Sequence, residues 1–175
     1  MRRGRFHALL GCLVLGLVAS VTALTTGAVA ATPESVTITA DEFFGASGDT
    51  VIALEATGGV FGTGITTGTG ESFQQTKGSV TSTGHRLPLV IHGVDVYTFG
   101  AGAITFNWQF RCVYSSDTDA VCSGPWHITS GTGAYEGAQG GGTAIDLCVD
   151  HYDGPDGAYS ATTCSDTLTG KIQAP

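Results

Sequence analysis

Apolar and polar residues alternate with a period of two along much of this 175-residue chain, most cleanly over residues 103–114. Ile104, Phe106, Trp108, Phe110, Cys112 and Tyr114 share one face there, and Thr105, Asn107, Gln109 and Arg111 the other. That period marks a strand with one buried side. It predicts further strands over 35–41, 50–56, 87–99, 121–129, 143–150 and 159–172, with the 87–99 strand bent or bulged at Gly93. Residues 58–84 are rich in Gly, Thr and Ser, with Val60-Phe61 and Ser72-Phe73 as apolar anchors, and read as short or edge strands. About eight strands joined by short turns, with no helix after residue 30, predict an all-β barrel or sandwich.

The cysteines test this strand reading. Folding residues 104–130 as a hairpin about Asp117 sets Cys112 opposite Cys122, Trp108 opposite Trp126 and Phe106 opposite Ile128. Large apolar groups then pair across one face, which is where sheets gain stability. Of the three connectivities open to Cys112, Cys122, Cys148 and Cys164, neighbour pairing fits best. Cys148 and Cys164 close over the turn His151-Tyr-Asp-Gly-Pro-Asp-Gly157, and each bridge is worth about 3 kcal/mol by loop entropy. CxxC spacing is absent, so neither zinc nor another metal or cofactor is expected.

An oxidising destination agrees with the N-terminus. Arg2, Arg3 and Arg5 precede an apolar run from Ala8 to Val21, and Ala28-Val29-Ala30 offers small residues for cleavage. Residues 1–30 therefore read as a helical signal peptide, 31–175 as one domain, and the protein as secreted. Around Cys12 the apolar run continues past the position where a lipoprotein would be cut, which argues against lipidation. The formal charge is −8, but all 15 acidic residues follow residue 30, against only Lys77, Arg86, Arg111 and Lys171. The remainder thus carries −11, which disfavours nucleic acid and anionic membrane surfaces as partners and favours cations.

One segment carries family information. Gly131-Thr-Gly-Ala-Tyr-Glu-Gly-Ala-Gln-Gly140, entered from Trp126-His-Ile-Thr, resembles a signature of the allene oxide cyclase-like barrel superfamily, which includes plant dirigent proteins and bacterial secreted members. The resemblance is concentrated in residues 126–143. It implies an eight-stranded antiparallel barrel with a central cavity, Tyr135 folded back as a cap on the glycine bend, and a homo-oligomer like the trimers of the plant members. No catalytic residues of that superfamily align here, and Gln139 stands where dirigent sequences commonly have Arg.

Catalytic motifs are otherwise absent: there is no HExxH, no GxSxG and no phosphate loop. Pairing Cys148 with Cys164 sets Asp146 directly opposite Asp166, so the two are the candidate catalytic residues, a buried acid pair able to donate a proton. Alternation favours the opposite orientation, with both on the solvent face and Ile145, Leu147 and Val149 inward. Asp150, Asp153 and Asp156 lack calcium-loop spacing, Asp117 and Asp119 read as a turn tip, and His85, His92, His127 and His151 show no paired spacing. Phe106, Trp108, Phe110 and Trp126 either line a cavity for a hydrophobic small molecule or simply fill the barrel, and filling is the favoured reading. The leading functional reading is a secreted, non-catalytic binding protein or surface or matrix component. The alternatives are a cyclase-like or dirigent-like enzyme on a hydrophobic substrate, and a lipocalin-style carrier. A closed, filled interior would remove both carrier and enzyme, whereas a cavity above about 300 Å³ with inward carboxylates would revive the enzyme.

Overall fold

The computed structural model describes residues 31–48, 50–77, 89–153 and 157–174. Residues 1–30, expected to be a signal peptide, and His85, Arg86 and Asp156 lie outside the described residues. The rest forms a closed antiparallel barrel of eight strands: β1 (Glu34–Gly45), β2 (Thr50–Thr57), β3 (Thr66–Lys77), β4 (Leu89–Phe99), β5 (Gly102–Tyr114), β6 (Asp119–Gly131), β7 (Gln139–Asp153) and β8 (Ala158–Gln173). Each strand pairs with the next, and β8 closes onto β1 from Glu34↔Ile172 to Gly45↔Ala161. Closure gives every strand a paired neighbour on both sides, although β3 extends past its pairing with β2 beyond Gly70.

The period-two pattern explains which residues face inward. Val36, Ile38 and Ala40 of β1 are buried, as are Ile52, Leu54 and Ala56 of β2 and Ile104, Phe106, Trp108, Phe110 and Cys112 of β5. In a barrel of consecutive hairpins, alternate connections lie at opposite ends. At the end carrying the β2–β3, β4–β5 and β6–β7 connections, Phe61, Phe99 and Tyr135 form an aromatic plug with ring centroids 4.9 to 6.0 Å apart. Tyr135, 3% exposed, caps the glycine bend. Gly133, at φ 60°, makes that bend possible, because L side chains rarely adopt such a backbone.

The disulfides join Cys112 to Cys122 and Cys148 to Cys164, and each pair stands directly across its hairpin. Two expectations are corrected here. β4 runs through Gly93 without a bulge, in register with both neighbours; the irregularities fall instead at Thr105/Phe106 and His151/Tyr152. Gly93 is needed for space, since a Cβ there would overlap the Trp108 ring and the Phe73 carbonyl. The second correction concerns β7. Its inward residues are Ala144 and Asp146, whereas Ile145, Leu147 and Val149 are 54%, 56% and 38% exposed on the outer wall. The sheet decides this: Asp146 lies opposite Cys122, and residues directly opposite share a face. Cys122 faces inward, so Asp146 must as well.

Candidate functional site

Opposite the aromatic plug, the barrel opens into a cavity of about 310 Å³. Its lining comes from the end that carries the β1–β2, β5–β6 and β7–β8 connections. Leu89, Ile91, Trp108 and Phe110 supply apolar surface, and Ser72, Ala120, Thr162 and the two disulfides keep the space open by being small. The interior is thus filled at one end and hollow at the other, in place of the uniform filling favoured from the aromatic face. Trp108 and Phe110 line the hollow, stacked with centroids 4.6 Å apart. Phe106 and Trp126 do not line it; they pack edge-to-face at 5.4 Å inside the core.

Four carboxyl groups project into this cavity: Glu42 from β1, Asp95 from β4, Asp146 from β7 and Asp166 from β8. Each residue is only 6 or 7% exposed. Asp146 faces Asp166 across the β7–β8 ladder, and side-chain hydrogen bonds link Asp146 to Asp166 and Asp166 to Glu42. Among the described residues, no Lys, Arg or His contributes to the cavity wall. Burial disfavours the charged form of an acid, and like charges nearby disfavour it further. Burial, then the Asp166 and Asp95 charges, push Asp146 up to about 9. Burial, then Glu42, push Asp166 up to about 9. Glu42 rises to about 8 through burial and the charges of Asp95 and Asp146, offset by its bond from Asp166.

These shifts give the hydrogen bonds a direction. Protonated Asp146 donates to Asp166, and protonated Asp166 donates to Glu42. Asp95 is also raised by burial, but Ser72, Trp108 and Tyr97 favour its carboxylate. The Tyr97 hydroxyl donates to Asp95 Oδ2 at 3.4 Å, and its own titration is driven far upward by burial and the surrounding acids.

The cluster is incompletely satisfied. Glu42 Oε1, Asp95 Oδ1, Asp146 Oδ1 and Asp166 Oδ1 are buried without a hydrogen-bond partner. So is the Trp108 indole N–H, which lies near Asp95 without closing a bond. By contrast, the Trp126 indole N–H donates to the Thr143 carbonyl at 3.2 Å. Unsatisfied buried polar groups cost about 1–3 kcal/mol each, so five converging on one hollow mark a place where stability yields to another demand.

Glu42, Cys164 and Asp166 bring possible metal-ligand atoms within 4.8 Å of one another. Cys164 is bonded to Cys148, however, so no thiolate exists there. Among the described residues, no three carboxylates converge that closely.

Other candidates lie apart from the acid cluster. Asp150 lines the cavity and accepts from Thr162 Oγ1 at 2.6 Å, while Asp153 is exposed. Asp119 accepts from Ser116 Oγ at 2.7 Å in an exposed turn. His127 is exposed, and His151 is exposed and bonded to Thr163 at 2.9 Å. Sequence reasoning missed Glu42 and Asp95, although each is in step with inward neighbours: Glu42 with Val36, Ile38 and Ala40, Asp95 with Tyr97 and Phe99. Among the described residues, no helix is long and apolar enough to cross a membrane. Comparison with known proteins finds no family model, no curated protein and no solved structure that matches this chain.

Proposed function

We propose that this is a secreted small-molecule-binding barrel, and that the acid-lined hollow at the open end is its binding site. One observation carries the reading: a cavity of about 310 Å³ combines apolar walls with buried, unpartnered polar atoms. Ligand sites are concave and mostly apolar, with a few placed polar groups that fix orientation. Two disulfides support export through an oxidising compartment, and the glycine motif of residues 126–143 supports kinship with the allene oxide cyclase-like superfamily. Native mass spectrometry of the protein isolated from a secreting host tests binding. A bound molecule of small mass is expected, and it should be absent from Ala120→Phe, which fills the hollow. An identical mass pattern for both proteins would defeat the proposal.

A second reading rests on the hydrogen-bonded acids. Raised by burial and by one another, Glu42, Asp146 and Asp166 hold protons at neutral pH, so the trio is suited to donate a proton to a bound substrate and recover it within one turnover. That is what an isomerase or cyclase acting on a hydrophobic substrate requires. Its test is incorporation of solvent deuterium into the co-isolated molecule, fast with the native protein and slowed at least a hundredfold by Asp146→Asn.

A further inference from the structure

From the chemistry of the same hollow, and resting on the small-molecule reading above, we infer that its ligand is a flat organic cation of the amidinium or guanidinium class, carried on an apolar body. The four unpartnered carboxyl oxygens ask for hydrogen-bond donors, and among the described residues no basic side chain in the wall supplies any. A neutral apolar guest would leave all four unsatisfied. A guest bearing positive charge and several N–H groups satisfies them and offsets the repulsion among the acids.

Geometry then selects the shape of the cation. No three carboxylates among the described residues bring their oxygens within 4.8 Å of one another, so a compact ion is reached by too few. Calcium takes six to eight oxygens at about 2.3–2.6 Å. An amidinium or guanidinium spreads four or five N–H donors over a plane and reaches acceptors that are farther apart.

The Trp108 indole lies beside the same acids and adds aromatic surface to the hollow. Trp108 is 6% exposed, faces the hollow, and its N–H has no partner although Asp95 lies beside it. A bound cation holds Asp95 ionised, and an ionised Asp95 gives the indole a stronger acceptor. The stacked Trp108–Phe110 pair offers aromatic surface for a planar head, where cation–π attraction adds to binding. The charge of −11 carried after residue 30 draws cations toward the protein.

Cation binding must displace protons. Among the described residues, the titratable groups lining the hollow are Glu42 from β1, Asp95 from β4, Tyr114 from β5, Asp146 and Asp150 from β7, and Tyr159 and Asp166 from β8, with Tyr97 bonded to Asp95 behind the wall. Of these, Glu42, Asp146 and Asp166 hold the protons to be released at neutral pH.

Benzamidine and its neutral counterpart benzamide separate the outcomes by titration calorimetry on the exported, disulfide-bonded protein at pH 7. The inference expects benzamidine to bind at least tenfold more tightly than benzamide, and to release at least half a proton per site, read as a dependence of heat on buffer. Asp166→Asn should reduce benzamidine affinity at least tenfold. Glu42→Gln should do the same, and near-ultraviolet circular dichroism reports whether each variant keeps its aromatic packing. Equal binding of the two probes, insensitive to both variants, overturns the cation while sparing the small-molecule reading. Binding of calcium in competition with benzamidine overturns it in favour of a metal. Failure of both probes, together with no molecule in the native mass spectrum, removes both readings.

Discussion

At Asp146 the conflict between folding and function can be read from one carboxyl group. Its ordinary value of 3.8 is raised to about 9 in the barrel by burial. Below about pH 4 the folded and unfolded chains both hold the proton, so its contribution to stability is complete. As pH climbs toward 9 the unfolded chain ionises while the folded one retains the proton, and that contribution is lost. The ligand-free protein is therefore expected to melt at a higher temperature at pH 5 than at pH 8. Asp146→Asn keeps the shape and can still donate to Asp166. It should raise stability at pH 8 by roughly 1–2 kcal/mol and change it little at pH 4, as thermal melts across the pH range would show. A melting temperature for the variant that falls equally at both pH values would contradict a raised titration. Trp108→Phe offers a second check at this scale. It removes an N–H that no protein atom accepts, so its cost to folding should stay below about 1.5 kcal/mol, measured by urea unfolding.

Within single elements, local pattern and cross-strand register gave different answers, and register prevailed. β5 was fully legible because its inward residues are all apolar, from Ile104 to Cys112. β7 was not. Ile145, Leu147 and Val149 outweigh Ala144 and Asp146 in hydrophobicity, yet they face outward. The information needed was non-local: Cys122 opposite Asp146, and Cys148 opposite Cys164, place the acids on the face that carries Trp108 and Trp126. Glu42 and Asp95 escaped notice for a related reason, since a charged residue at the end of an apolar alternation reads as the end of burial. Gly93 does not mark a bulge, because its constraint, the Trp108 ring across the ladder, is invisible along the chain. Gly93→Ala should cost about 1–3 kcal/mol by overpacking, seen as a lower urea midpoint without change in slope. The β7–β8 bridge spans a sequence separation of 16. Replacing both Cys148 and Cys164 by Ala should cost about 3 kcal/mol in the same assay, and a loss under 1 kcal/mol would mean that the hairpin register holds without it.

Across the whole molecule, the barrel divides its interior into two environments. One end buries Phe61, Phe99 and Tyr135 in mutual contact and closes the sheet. The other encloses about 310 Å³ around four carboxyl groups and is bounded by both disulfides. Strand count and spacing left barrel and sandwich both open, and closure was expected only from the resemblance carried by residues 126–143. The hollow was not legible, because its volume depends on how small residues from six or more strands meet in space. Everything functional rests on those acids being buried and protonated inside the barrel. Carbon-13 NMR titration of the side-chain carboxyl carbons reads this directly. Midpoints near 8 for Glu42 and near 9 for Asp146 and Asp166 are expected, and midpoints of about 4 for all three, as in unperturbed side chains, would contradict it.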